Sequence, residues 1–272
     1  MMPLAVCFFC LILLGCGEWV SGTVGKASCE FGSFNDFYRP VKMASGNNGN
    51  ELYILDNYDV NYYKRDNLYE CAFDLEYSYP FRGSPSDVFS TGNGFYVQDG
   101  KQLKSMNDAE ACYAKDGFFA IYGDELAIGS NTGIEIWSIS QCIKKVALSS
   151  QRVLALAATS SEYFAAEGIS AEPRNLTMYS KNGSPAYSDP MSSTPGNEKN
   201  FCSADRVIAN NHGVYLLDKK CGKIGVYDNR GVWRKTVSLE SLGIKNALDI
   251  APGEYSYIFI LHGKSVKKVN ML

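Results

Sequence analysis

The sequence predicts an all-β fold, a six-bladed β-propeller of four-stranded antiparallel blades with its ring closed by the N-terminal strand. Beyond the apolar N-terminus, no stretch longer than about two turns carries apolar side chains at helical spacing. Short runs rich in Tyr, Val, Ile and Phe alternate instead with turn pairs such as Asn93-Gly94, Asp116-Gly117 and Asn182-Gly183. One strand pattern recurs six times, which predicts a repeat architecture.

The recurring strand is a short apolar segment that follows another apolar segment in every copy. The six copies lie at residues 52–55, 95–97, 126–128, 163–166, 214–217 and 257–261. The preceding segments, expected to be the inner strands, begin at Val41, Asp87, Phe118, Val153, Arg206 and Ala247. Third strands follow, and fourth strands are expected in most copies, for example from Leu68 and from Val232. A four-stranded unit that repeats every 31 to 51 residues is typical of propeller blades, because radial stacking buries both faces of each sheet.

The last copy ends after its third strand, so its outer strand must come from elsewhere. Residues 26–34 precede the first inner strand, and we expect them to pair beside residues 266–270. Such pairing removes an open sheet edge that would otherwise favour aggregation. An elongated β-sandwich is the alternative fold, because it allows the same spacing of turns.

Residues 214–239 resemble a blade of the NHL and related six-bladed propellers, with a strand, an Asp, a short loop, an Ile-x-Val-Tyr-Asp segment and a Gly turn. Residues 83–99 resemble the start of such a blade. The resemblance implies the propeller fold, and Ile224, Val226 and Tyr227 are then expected to be core and turn residues.

Residues 1–16 form an apolar run too short for the roughly 20 residues of a membrane-spanning helix, which predicts a signal peptide. Its end, Leu13-Leu14-Gly15-Cys16, resembles a bacterial lipoprotein signal, which is cleaved before a cysteine that then carries the lipid. A lipoprotein signal usually starts with a positive charge, and this run has none before it. A secretory peptide cut near Ser21-Gly22 and a retained transmembrane anchor are the alternatives.

The lipoprotein interpretation divides the chain into three parts. Residues 1–15 are the signal peptide, residues 16–25 a short linker that starts at the lipidated Cys16, and residues 26–272 the propeller domain. The expected location is the bacterial cell envelope, lipid-anchored on the periplasmic or surface side, and secretion is the alternative.

Six cysteines remain outside the signal and the lipidation site, and an even number in an exported chain predicts three disulfides. The strand alternation places Cys202 and Cys221 on one face of copy five, so we expect them to pair. Nearest-neighbour pairing in the outer strands would join Cys29 to Cys71 and Cys112 to Cys142. Outer strands of adjacent blades diverge, however, and a disulfide requires Cα atoms within about 7 Å. None of these six cysteines forms a CxxC pair and the two histidines are far apart, so no metal site is expected.

One face of the propeller is the expected ligand face. Loops after the second and the fourth strand of each blade open on it, and we call it the long-loop face. Long loops are predicted there at residues 166–175 and 185–201, and residues 34–40 and 77–83 bring aromatic side chains with an Arg each. We therefore expect Tyr79 and Phe81 to contact a protein or a sugar. Alternatively, Tyr38 and Phe81 fill gaps between blades.

A basic residue precedes or starts each expected inner strand. These residues are predicted to surround the mouth of the central channel and to hold an anion such as a carboxylate or a sulfated glycan. The alternative is that they are ordinary loop residues without a shared role. They are Arg39, Arg82, Lys115, Arg152, Arg206 and Lys245.

The sequence favours a binding or scaffolding module for a protein or glycan ligand, with a lipid anchor and no cofactor. A net charge of −3 provides no global field for nucleic acid, so no nucleic-acid partner is expected. The enzymatic alternative is a hydrolase that resembles the six-bladed gluconolactonases, with calcium held by carboxylates. Its candidate residues Asp87, Glu110, Asp205 and Asp249 show no ordered spacing. A lyase would need several histidines, whereas His212 and His262 occupy different repeat positions.

Overall fold

The computed structural model describes residues 29–31, 37–46, 49–66, 72–92, 94–113, 116–148 and 151–272. Within these ranges the chain forms 24 strands, arranged in six antiparallel sheets of four strands each. Inner strands of consecutive blades are neighbours, and the first and last blades meet, so the blades form a closed ring. The predicted six-bladed propeller is confirmed. The predicted signal peptide, the linker and Cys16 lie outside the described residues.

Each blade runs from an inner to an outer strand in chain order. Blade one contains β2 (Pro40–Gly46), β3 (Glu51–Asp56), β4 (Asp59–Lys64) and β5 (Asp74–Pro80). Blade two contains β6 (Asp87–Thr91), β7 (Gly94–Asp99), β8 (Gln102–Ser105) and β9 (Glu110–Tyr113). Blade three contains β10 (Phe118–Tyr122), β11 (Glu125–Ser130), β12 (Gly133–Ser138) and β13 (Ile143–Leu148).

The remaining blades follow the same order. Blade four contains β14 (Arg152–Ala158), β15 (Glu162–Ile169), β16 (Glu172–Ser180) and β17 (Pro185–Pro190). Blade five contains β18 (Arg206–Asn210), β19 (Gly213–Asp218), β20 (Lys223–Tyr227) and β21 (Trp233–Ser238). A short 3₁₀ helix, Glu240–Leu242, leads to blade six, which contains β22 (Ala247–Pro252), β23 (Tyr257–His262) and β24 (Ser265–Asn270).

The N-terminal strand completes blade six. Strand β1 (Cys29–Phe31) pairs antiparallel with β24, with Cys29 opposite Lys268 and Phe31 opposite Val266. The predicted closure of the ring by the N-terminal strand is therefore confirmed. The first and the last strand of the described chain therefore meet at the outer edge of one blade.

Three sequence-based boundaries were wrong. The outer strand of blade one is β5, which starts at Asp74 and not at Leu68, so residues 77–80 belong to a strand. The loop expected at residues 166–175 is a two-residue turn between β15 and β16. Polar residues suggested a loop there, but Glu167 accepts hydrogen bonds from the Thr177 and Tyr179 hydroxyls, both at 2.6 Å, inside the sheet. The loop expected from residue 185 begins after β17 and comprises residues 191–205.

The core lies between blades, where apolar side chains of adjacent sheets interlock. Ile224, Val226 and Tyr227 are buried, as expected from the blade motif. Blades three and four approach closely at Gly129, where a Cβ would lie 2.4 Å from Val153 Cγ1. Any larger side chain at this position would push the two sheets apart.

Two of the predicted disulfides are present. Cys202 bonds to Cys221 with Cα atoms 5.6 Å apart, and Cys112 bonds to Cys142 with Cα atoms 5.2 Å apart. Cys142 lies in the turn before β13 and not in the outer strand itself. Cys71 lies outside the described residues, so the Cys29–Cys71 pairing stays a prediction. Within the described part of the chain, no helix is long and apolar enough to cross a membrane.

Candidate functional site

Aspartates at the ends of second strands hold the loops of the long-loop face. Asp56 accepts a hydrogen bond from the backbone N–H of Tyr38 at 2.7 Å, and Asp218 accepts one from Cys202 at 2.7 Å. Asp99 accepts the equivalent bond from the Ser84 N–H at 3.3 Å. In each case the carboxylate ties the segment that precedes an inner strand to the same blade. Asp recurs at the end of three second strands, but this recurrence alone does not reveal which N–H groups the carboxylates accept.

Exposed tyrosines and arginines cluster on the long-loop face of blade one. We call Tyr38, Arg39, Tyr58 and Arg82 the blade-one surface. Tyr38 is 79% exposed and Tyr58 is 51% exposed, while both arginines are also exposed. Large side chains that remain this accessible on a folded scaffold mark a candidate interaction site.

Backbone hydrogen bonds join the three segments that carry the blade-one surface. The Asn57 N–H donates to the Arg39 carbonyl at 3.1 Å, and the Phe81 N–H donates to the Tyr58 carbonyl at 2.9 Å. The Arg82 N–H donates to Asp108 Oδ2 at 3.3 Å. These hydrogen bonds fix the relative positions of the backbone segments that carry the exposed side chains.

Two of the predicted ligand-binding aromatics occupy different environments. Phe81 is 6% exposed, and its ring packs against Phe95 of blade two with centroids 5.9 Å apart. The prediction of ligand contact is wrong for this side chain, which fills the gap between blades one and two. Tyr79 is half-buried in β5, with its ring edge-on to Phe95 at 5.2 Å. Tyr38 does not fill a gap, since its side chain is exposed.

The six basic residues do not form a uniform ring. Arg39, Arg82, Arg152 and Lys245 are exposed, and Lys115 lies outside the described residues. Arg206, at the start of β18, instead reaches into the channel and forms an ion pair with Asp87 at the start of β6. Its Nε atom lies 3.7 Å from Asp249 Oδ1. Two carboxylates therefore share the channel with Arg206, and the anion-binding role of the six basic residues stays a prediction.

Charged side chains close the channel beneath the long-loop face. Lys42 Nζ lies 3.8 Å from Asp249 Oδ1, and the fully buried Asp249 also accepts the backbone N–H of Met43 at 2.9 Å. Burial by itself would lower the pKa of Arg206, because it disfavours the charged form. The negative charges of Asp249 and Asp87 outweigh this effect, so the pKa is raised. Desolvation, followed by the Lys42 charge, lowers the pKa of Lys219. We call this group the channel floor: Lys42, Asp87, Arg206, Lys219 and Asp249.

A cavity of about 630 Å³ occupies the other half of the channel. Its lining comes from all six inner strands and extends from Arg206 to the turns that follow these strands. It opens on the face that carries the turns between first and second strands, at Thr159, Asn211 and Gly253 for example. We call this the cavity face, opposite the long-loop face. Short turns on this face gave no sequence signal for a binding site.

The described residues contain one group of His, Cys, Asp and Glu side chains close enough to share a metal ion. It comprises Cys202, Asp218 and Cys221, with ligand atoms within 4.8 Å of one another. The two sulfurs are bonded to each other, and Asp218 already accepts the N–H groups of both cysteines. This group therefore fits a structural role.

Comparisons with known proteins identify the fold. No protein-family model matches the chain, and no curated protein matches it. BamB from Moraxella catarrhalis superposes with a TM-score of 0.50 and 9% identity, over 85% of this chain and 82% of that chain. The WD40 β-propeller domain of Doa1 superposes with a TM-score of 0.58 and 8% identity, over 85% and 78% respectively. At such low identities the likeness establishes the propeller fold alone.

Proposed function

We propose that this propeller is a binding module that docks a protein partner on its long-loop face, through the blade-one surface. The observation that carries the proposal is the exposure of Tyr38 and Tyr58, together with Arg39 and Arg82, on three hydrogen-bonded segments of one face. Tyr and Arg dominate the energetic centres of protein interfaces, since each combines a large contact area with directional hydrogen bonding.

The fixed backbone beneath the blade-one surface supports this function. Asp56 fixes the backbone of Tyr38, and Phe81 both anchors the Tyr58 carbonyl and packs into the core. A pre-ordered backbone lowers the entropy that docking removes, so more of the contact energy appears as affinity.

We further propose that the chain is exported and carries a lipid at Cys16, at the surface of a bacterial envelope membrane, with secretion as the alternative. The apolar run at residues 1–16 and the even number of remaining cysteines support export. We also propose that the blades are related to NHL-type repeats, on the basis of the motif in residues 214–239.

The calcium-dependent hydrolase alternative has weaker support. Two of its candidate carboxylates, Asp87 and Asp249, face the guanidinium of Arg206. A calcium ion would have to compete with this fixed positive charge for the same oxygens.

Site-specific photo-crosslinking tests the binding function. A benzophenone amino acid at Tyr58 should capture a partner in native cells, whereas the same group at Ile143, 59% exposed on the outer strand of blade three, should not. The partner, identified by mass spectrometry and purified, should then bind the wild-type propeller in isolation.

Affinities of variants for the purified partner decide the location of the site. Tyr38→Ala and Tyr58→Ala should each weaken binding about tenfold or more, as expected for truncation of aromatic anchors. Ile143→Ala serves as the matched control and should leave both affinity and melting temperature unchanged. Equal crosslinking at Ile143, or wild-type affinity in both tyrosine variants, would contradict the proposal.

A further inference from the structure

One exposed tyrosine lines the cavity, and a second stands in a turn next to its lining on the same face. Tyr122 is 48% exposed at the end of β10, and Tyr255 is 61% exposed in the turn between β22 and β23. They belong to blades three and six, which stand opposite each other in a ring of six. Tyr122 is one of the lining residues of the cavity, whereas Tyr255 lies two residues beyond the lining residue Gly253, and its ring packs against His212 with centroids 5.7 Å apart.

The backbone of Tyr255 adopts a conformation that is unfavourable for tyrosine. Its φ angle is 50°, in the left-handed region that glycine occupies at much lower energy. Asn210 Nδ2 fixes this turn by donating to the Tyr255 carbonyl at 3.0 Å. Strain of this kind is typical of functional positions, where the side chain is needed in one orientation.

The cavity wall combines apolar side chains of the inner strands, such as Val88, Leu156 and Ile250, with uncharged polar side chains nearer the mouth. Side-chain hydroxyls and amides near the mouth come from Ser90, Thr91, Thr159, Ser160, Asn210 and Asn211. Among the described lining residues the only charged group is Arg206 at the bottom, and Asp87 and Asp249 offset its charge. The free edges of the inner strands add backbone donors and acceptors. Such a wall offers hydrogen bonds to hydroxyl groups near the mouth and apolar contacts from the inner strands, while it offers no net charge to an ion.

We propose that the cavity face binds a neutral saccharide, with one or two sugar units inside the cavity and against Tyr255 and Tyr122. The volume of about 630 Å³ lies within the usual range of roughly 300–1,000 Å³ for ligand pockets. Sugar C–H faces pack on aromatic rings, and sugar hydroxyls match the side-chain hydroxyls and amides of the wall. This site is on the opposite face from the blade-one surface and does not depend on the proposed protein partner.

Saturation-transfer NMR and calorimetry with defined sugars test the proposal. The probes are glucose, galactose, N-acetylglucosamine and their common disaccharides, with glucuronate as the charged comparison. At least one neutral sugar should bind wild-type protein, and glucuronate should bind at least tenfold more weakly. No binding by any neutral probe, or equal binding of glucuronate, would overturn the proposal.

Tyr255→Gly separates binding from folding. Glycine relieves the left-handed strain, so the melting temperature should stay unchanged or rise, while sugar affinity should fall at least tenfold. Ala158→Trp, which fills the cavity from β14, should also abolish binding. Tyr38→Ala removes a tyrosine of similar exposure on the opposite face and should leave sugar affinity unchanged. Wild-type affinity in Tyr255→Gly or in Ala158→Trp would place the sugar elsewhere and overturn the proposal.

Discussion

Arg206 of blade five and Asp87 of blade two form an ion pair across the centre of the propeller. The backbone ties each blade only to its neighbours, whereas this contact joins two opposite blades. Each of the two side chains is 14% exposed, so water screens the pair only weakly. The ion pair therefore occupies the channel and also connects two opposite blades.

Arg206→Met should destabilise the fold by about 3 kcal/mol, because it leaves Asp87 and Asp249 without the guanidinium in a nearly dry site. Asp87→Asn should have a smaller effect, because Arg206 keeps Asp249 as a partner. Urea unfolding measures both free energies. A larger loss in Asp87→Asn than in Arg206→Met would show that the Asp249 contact contributes little.

Removal of the Cys202–Cys221 bond should lower the free energy of unfolding by roughly 3 kcal/mol, the value expected for a loop of this length. The double change Cys202→Ser and Cys221→Ser preserves volume, and Asp218 can still accept both backbone N–H groups. Denaturant unfolding of the oxidised wild type and of the variant should therefore show this difference in the free energy of unfolding. Under reducing conditions the difference should vanish.

Glu30→Pro should open the ring, because proline removes a backbone donor from the short strand β1. Hydrogen exchange should then accelerate at Val266 and Lys268, on the strand that β1 covers. Amides of blade three, far from the seam, should keep their protection. Uniform loss of protection in every blade would indicate that the ring cannot persist without its closing strand.

Stability should decline between pH 10 and pH 12. Burial, followed by the Glu51 charge, raises the pKa of Tyr62 to about 12, and burial raises that of Tyr215 to about 12. The unfolded chain releases these protons near pH 10, so rising pH favours unfolding until the folded tyrosines also ionise. Melting temperatures from pH 9 to 12 measure the decline, and Tyr62→Phe should make it shallower. A flat profile in the wild type would contradict the pKa assignments.

The sequence predicted elements whose pattern reflects burial. All six second strands were located because their residues are apolar on both faces, as in Val214 to Leu217, which is buried throughout. The outer strand β5 was misplaced because it is exposed along most of its length and carries no such pattern. The partners of Arg206 could not be predicted, since Asp87 and Asp249 come from other blades and only the closed ring brings them together. The cavity is likewise a property of the ring and has no local signal.

The direction of strand β1 determines on which face of the propeller the described part of the chain begins. Outer strands run from the cavity face towards the long-loop face, so Cys29 lies at the end of β1 nearer the cavity face. If Cys16 carries a lipid, as proposed above, the tether therefore joins the folded ring on the cavity side of blade six, on the opposite face from the blade-one surface.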